Sequence, residues 1–379
     1  MEFSYSREQE MVKKMLKEFA ETEIAPISEE IDAEAKYPYE TVAKLGELGI
    51  MGMPFPEEYG GAGSDYLTYI MAVEEISKVD ASHGVIVQTH NALCCWPIFT
   101  YGTEEQKQNY LPKLLSGEHL GAFGLTEPNA GTDAAMQQTT AKDKGDHWLL
   151  NGSKIFISGG GIADVYVVMA MTDKSKGNKG ISAFIVEKGM PGFSRGKKEN
   201  KMGIRGSIAA ELVFEDCIVP KENLLGQLGK GFKVAMSSLD VGRLGIAAQA
   251  LGIAQGAFDQ TVEYMKQRKQ FGRSLDRFQA LAFEMADMKT RIDGSRFLLY
   301  NAANRRDRGL SSTVEAAQAK LSCSETASYV VDKAVQFHGG YGYIKDYPVE
   351  RMYRDQKITE IYEGTSEVMK MVISGDIFK

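Results

Sequence analysis

The hydrophobic period changes twice along this chain, and those two changes limit its fold more than any other feature. From Ser6 to about residue 120, apolar residues recur at helical spacing, as in Met11, Val12, Met15, Leu16 and Phe19. Ser6 and Gln9 are spaced as a capping box ahead of that run, and Thr103 and Gln106 repeat the device. Pro26, Pro38 and Pro54 punctuate the helices between them. After Gly121 short alternating or β-branched runs take over, at 148–150, 154–158, 165–171, 181–186 and 211–219. From Gly229 the helical period returns in long segments near 230–269, 277–307 and 312–338, with Leu281, Phe283, Met285 and Met288 as an apolar face. Short connections between long helices favour an antiparallel bundle. The expected fold class is α+β, mostly α. It comprises an N-terminal all-α domain (1–120), a middle β-barrel or sandwich (121–226) and a C-terminal helical bundle (227–379).

A length of 379 residues also exceeds one ordinary core. The net charge of −7 argues against a nucleic-acid partner. No apolar run approaches the roughly 20 residues of a membrane span. The first residues show neither a secretory nor a transit pattern, so a cytoplasmic address is expected. Cys94, Cys95, Cys217 and Cys323 fit a reducing compartment, and the first two, between Leu93 and Trp96, read as small buried residues. Five scattered histidines give no metal site. Gly226 to Gly231 looks like a phosphate loop but lacks the preceding strand and the spacing.

Four stretches could carry chemistry. In Ile358 to Val368, Glu363 stands between Tyr362 and Gly364, ahead of a helix that Thr365 and Ser366 would cap. A carboxylate held at such a turn beside apolar side chains is poorly solvated, so its pKa rises, as a general base for a carbon acid requires. The plain alternative is a solvated surface glutamate. Phe123 to Asp133 is a Gly/Pro loop whose hydroxyls and N–H groups could hydrogen-bond a heterocycle or a pyrophosphate, or could form an ordinary polar turn. Lys154 to Ser158 reads as a strand with Phe156 and Ser158 on one face. Leu239 to Arg243 lies early in a long helix, where Asp240 and Arg243 are either an i,i+3 ion pair or ligand contacts.

Taken together and in order, these segments resemble the acyl-CoA dehydrogenases, FAD enzymes that oxidise acyl-CoA thioesters at Cα–Cβ, and the resemblance runs from Ser6 to the end. It implies an N-terminal helical domain, a middle β-domain and a C-terminal four-helix bundle. It implies an FAD site made by Phe123, Leu125, Thr126, Gly131 and Thr132, by Phe156, Ile157 and Ser158 over the flavin, and by Thr365 and Glu367. Arg268, Phe271 and Gln279, with Gln336, Phe337, Gly339 and Gly340, would reach the FAD of a neighbouring subunit, so a homo-oligomer, commonly a dimer of dimers, is implied. The thioester would meet Leu239, Asp240, Gly242, Arg243, Tyr362 and Gly364, with Gly242 letting it approach the helix. Gln88 to Phe99 would border the acyl end. Lys174, Lys176, Lys179, Arg195, Lys197 and Lys198 could face CoA phosphates, though solvated surface residues explain most of them.

The chain departs from the commonest pattern at Phe156, where Trp is usual, at Ser158, where Thr is usual, and at Gly159 to Gly161, where Asn is often found. By resemblance, Glu363 removes a Cα proton of a short-chain acyl-CoA while hydride leaves Cβ for flavin N5. The electrons are exchanged with an electron-transferring flavoprotein. Bacterial butyryl-CoA dehydrogenases, which often reduce crotonyl-CoA within electron-bifurcating complexes, look nearest. The alternatives are an aryl-acryloyl-CoA reductase, an acyl-CoA oxidase and a catalytically silent scaffold.

Overall fold

The computed structural model describes residues 5–379. Its N-terminal part holds helices α1 (Arg7–Phe19), α2 (Ser28–Glu34), α3 (Tyr39–Glu47), α4 (Tyr66–Ser77), α5 (Ala81–Thr89), α6 (Trp96–Tyr101) and α7 (Glu104–Leu115). Both expected capping boxes form, at Ser6/Gln9 and Thr103/Gln106. A π-helical turn, His90–Cys95, joins α5 to α6 without a break. Cys94 and Cys95 are fully buried within it, and all four cysteines are free.

Strands follow: β1 (Gly121–Gly124), β2 (Thr140–Asp143), β3 (His147–Ser158), β4 (Val165–Met171), β5 (Ile181–Glu187), β6 (Phe193–Lys198), β7 (Ala209–Pro220) and β8 (Leu224–Leu225). They make one sheet in the order β6-β7-β3-β2-β4-β5-β8, with β1 paired in parallel to β4. No pairing joins β6 to β8 among the described residues, so the sheet is open rather than a closed barrel. It folds over its own core, because Trp148 of β3 meets Phe184 of β5, which is not its neighbour, at 5.3 Å between ring centroids.

Strand β4 is the hinge between cores. All seven of its residues are buried. Tyr166, Val168 and Ala170 pack into the sheet's own core, while Val165, Val167, Met169 and Met171 pack against the helices. The strand period of two thus welds the sheet to the helical parts.

The last part holds α8 (Gly231–Gln267), α9 (Gln279–Asp307), α10 (Thr313–His338), α11 (Val349–Gln356) and α12 (Ser366–Ile377), with a hairpin of β9 (Lys269–Gln270) and β10 (Arg273–Ser274) between α8 and α9. Helix α8 is buried continuously from Val241 to Ala254, a stretch of small and apolar residues in which Arg243 and Gln249 are hydrogen-bonded. The apolar face expected on α9 needs one correction. Met288 is buried, but Phe283 is 62% exposed. At about 100° per residue, Phe283 lies two positions from both Leu281 and Met285 and so faces away from them.

Candidate active site

Glu363 sits in the turn between Glu360 and α12, with φ +51°, followed by Gly364 at φ +103°. A non-glycine residue in the left-handed region is strained, and such strain concentrates at functional positions. Thr365 caps α12 by accepting from the Val368 N–H. The turn's carbonyls are held by two cations: Arg243 Nε donates to Glu363 O at 3.2 Å and Lys320 Nζ to Gly364 O at 2.6 Å. Lys320 is fully buried, which pushes it down to about 8. Among the described residues, the Glu363 N–H takes no acceptor.

The carboxylate itself is shielded. Gln88 Nε2 donates to Oε1 at 2.6 Å, while Oε2 is buried without a partner. Burial pushes the Glu363 pKa up to about 8, against the opposing pull of Lys320 and Arg243. The two neighbouring glutamates differ. Glu360 pairs with Lys357, and Glu367 is exposed and held below the usual range by hydrogen bonds at the helix start.

Gly242 borders the carboxylate. A Cβ there would stand 2.0 Å from Glu363 Oε2, so the glycine clears space for the carboxylate. Asp240 and Arg243 do form the i,i+3 pair, at 2.7 Å, and Thr313 also donates to Asp240. Arg243 is buried whereas Asp240 and Leu239 are half-buried, so the latter two keep surface to offer. Tyr362 hydrogen-bonds Gln249. Beyond Gly242, a cavity of about 460 Å³ is lined by Tyr66, Tyr69, Ala92, Trp96, Phe99 and Val241. Cys94 and Cys95 do not line it.

A second group lies on the sheet. Thr126 follows β1, and its carbonyl accepts from Ile155 N at 2.9 Å. The loop is anchored by Lys154, which sequence reasoning passed over. This fully buried lysine donates to Leu125 O, Glu127 Oε1 and Gln137 Oε1 at 3.0, 2.7 and 3.1 Å. Strand β3 does not run straight here. Its pairing with β7 slips between Lys154 and Ile157, and Phe156 takes φ +58°. This bulge leaves Phe156 63% exposed beside the half-buried Ser158. The side chains of Phe123 and Leu125 are packed in the helical core and that of Ile157 in the sheet core, so only their backbones are available.

The third group lies at the far end of α8 and α10. Arg268, Gln279, Gln336, Gly339 and Gly340 are exposed, and Phe337 is half-buried. Phe271 and Gly272 form the two-residue turn of the β9–β10 hairpin with φ +50° and +77°, and Phe271 is 94% exposed at its tip. Arg268, Phe337, Gly339 and Gly340 line a cavity of about 550 Å³ with Tyr264 and Tyr341. Within one chain this group shares no hydrogen bond or ring contact with the Thr126 group among the described residues.

The chain matches the three family models of the acyl-CoA dehydrogenases: the N-terminal domain over 6–118, the middle domain over 122–217 and the C-terminal domain over 229–378. It is 61% identical to a short-chain specific acyl-CoA dehydrogenase of Clostridium acetobutylicum, covering all of both chains. A chain in the structure of the electron transferring flavoprotein of Acidaminococcus fermentans, described as a step towards a mechanism of flavin-based electron bifurcation, is 56% identical and superposes with a TM-score of 0.99 over all of both chains. The butyryl-CoA dehydrogenase structure from Megasphaera elsdenii is 52% identical, with a TM-score of 0.98 over all of both chains. The chain belongs to the acyl-CoA dehydrogenase family, oxidoreductases that carry FAD. Its residues fit that group. The hydroxyls of Thr126, Thr132 and Ser158 take no protein hydrogen-bond partner among the described residues, and Gly131, Gly339 and Gly340 face open space. Hydroxyls, open glycine backbone and a guanidinium suit a heterocycle and a pyrophosphate.

Proposed function

We propose that this enzyme interconverts short-chain acyl-CoA and trans-2-enoyl-CoA, with Glu363 as the base at Cα. The buried, half-partnered carboxylate of Glu363 carries the reading. Its raised pKa makes it basic enough to take a proton and acidic enough to return one near neutral pH. A thioester Cα–H is too weak an acid for an unaided carboxylate, so donors must meet the developing enolate oxygen. The uncommitted N–H of Glu363 is one such donor, held in place because Arg243 and Lys320 fix the two carbonyls that follow it, those of Glu363 and Gly364. Bound FAD supplies the hydride acceptor for Cβ. Thr126, Thr132, Phe156 and Ser158 would hold one FAD, with Thr365 and Glu367 at the turn. Arg268, Phe271, Gln279, Gln336 and the Gly339–Gly340 backbone would reach that of a second copy. The exposed, strained Phe271 suits such a contact, and a dimer of dimers is the proposed assembly. Leu239, Asp240, Tyr362 and Gly364 would meet the thioester.

Electrons would pass to or from an electron-transferring flavoprotein, a proposal supported by the similar chain in the Acidaminococcus fermentans structure. Free, buried cysteines suit the cytoplasm as its location, and no described helix is long and apolar enough to cross a membrane. A second reading, an aryl-acryloyl thioester as substrate, is favoured by the aromatic lining of the 460 Å³ cavity. Anaerobic flavin bleaching with a panel of thioesters tests both. Butyryl-CoA is expected to bleach fastest. Faster bleaching by a 3-arylpropionyl-CoA would replace the short-chain reading, and no bleaching by any thioester would end both.

A further inference from the structure

We propose that Gln88 is a positioning residue for Glu363, holding its carboxylate against the wall of α8 in a fixed orientation for proton exchange with Cα. The inference rests on Glu363 being the base. Gln88 is fully buried in α5, far from Glu363 in sequence. Its Nε2 donates both to Glu363 Oε1 at 2.6 Å and to Gly242 O at 2.9 Å. Both partners are acceptors, so the opposite orientation of the amide would set oxygen against oxygen twice. The backbone of α8 therefore decides which way the amide points. Helix α8 also makes room for the pair. A Cβ at Gly242 would strike Glu363 Oε2, and one at Gly245 would lie 2.0 Å from Gln88 Cγ. Two glycines one turn apart thus clear a slot for an amide and a carboxylate from two other elements.

No other described side chain donates to this carboxylate. Lys320 (α10) is spent on Gly364 O, and Arg243 (α8) on Glu363 O and Asp240. Tyr66 (α4) donates to Val241 O, and Tyr362 donates to Gln249. Tyr69 (α4) has a buried hydroxyl without a partner. Glu360 pairs with Lys357, and Glu367 is exposed. A neutral donor is chemically apt at this position. It orients the carboxylate as an ion pair would, yet adds no positive charge that would strip the base of its affinity for a proton.

The test is the pH dependence of Cα-proton exchange in D2O, followed by NMR on 3-thiabutyryl-CoA, whose sulfur at the 3-position prevents desaturation. Wild type, Gln88→Met, Gln88→Glu and Glu363→Gln holoenzymes are compared. Losing the donor disfavours the ionised base, so Gln88→Met is expected to move the midpoint up by about one pH unit and slow exchange about tenfold at pH 7. Gln88→Glu keeps the shape and brings a like charge, so its shift is expected to be larger, and it serves if Gln88→Met does not fold. A folded Gln88 variant with the wild-type midpoint and rate overturns the role of Gln88 while leaving Glu363 as base if Glu363→Gln is silent. Exchange that persists in Glu363→Gln overturns the base assignment, and this inference with it.

Discussion

Glu127, in the loop after β1, and Glu363, in the turn before α12, are both carboxylates shielded from water, yet burial has opposite consequences for them. Glu127 accepts from Lys154 Nζ and from the backbone N–H groups of Gln138 and Thr139. Burial works against its charge, but Lys154 and these donors together hold its pKa below the usual carboxylate range. Glu363 has one neutral donor and one bare oxygen, while the nearby cations Arg243 and Lys320 bond to backbone carbonyls instead. Its pKa rises to about 8. The difference teaches that what a buried carboxylate is bonded to, more than how deeply it is buried, decides whether it pins a loop or exchanges a proton. For two lysines the balance falls the other way, and burial outweighs the bonding partner. Lys154 and Lys320 are both pushed down to about 8 by burial, but only Lys154 bonds a carboxylate directly.

The largest expected effect tests the reactive member of the pair. Glu363→Gln preserves shape and removes basicity, so single-turnover flavin reduction by butyryl-CoA should fall by about 10²–10⁴-fold, with FAD content kept. A rate close to wild type would mean that another group takes the proton. The structural member is tested next. Lys154→Met leaves Glu127 charged and unpaired in the interior, which should cost about 3–5 kcal/mol of stability in denaturant titration. The loop carrying Thr126 should loosen with it and FAD retention should drop. Lys154→Met combined with Glu127→Leu should cost less than the single change. If the single variant unfolds like wild type, the pair is not what holds the loop.

The pH dependence of stability then sharpens the contrast. Glu363 has a folded pKa raised above its unfolded value. Its contribution is therefore fully present below the ordinary glutamate pKa and is lost as pH rises through about 8. Asp355, pushed up to about 7 by burial, acts in the same direction. Glu127, with a lowered pKa, has the reverse sign: its contribution is present at neutral pH and is lost on acidification. The gap in unfolding free energy between Glu363→Gln and wild type should widen in favour of the variant by roughly 2–4 kcal/mol from pH 5 to pH 9. Parallel curves would contradict the raised pKa. The smallest effect concerns the turn's frame. Thr365→Ala removes the N-cap of α12 and should cost about 1 kcal/mol, with a modest loss of flavin reduction as the Glu363 turn loosens. A loss of rate as large as that of Glu363→Gln would make Thr365 itself part of the chemistry.

What the residue order determined by itself was local. Apolar spacing marked α8, α9 and α10 almost to their ends, because helical hydrogen bonds close within four residues and leave a period in the sequence. Ser6/Gln9, Thr103/Gln106 and Thr365 could be read as caps for the same reason. The Tyr362-Glu363-Gly364 run marked a turn with a carboxylate in it. Only the tertiary structure decided what that carboxylate meets. Gln88 lies 275 positions away and Gly242 on another helix, and no pattern within a window links them. Nor could local pattern separate Lys154 from a surface lysine, since its partner Glu127 is 27 positions distant. The short strands β1, β2, β6 and β8 left no signal because their partners are non-local, and the bulge at Phe156 is set by how β3 must pair with β7. Spacing writes hydrogen bonds between neighbours into the sequence. The protonation of a buried group depends on donors and charges that only the folded chain brings within a few ångströms.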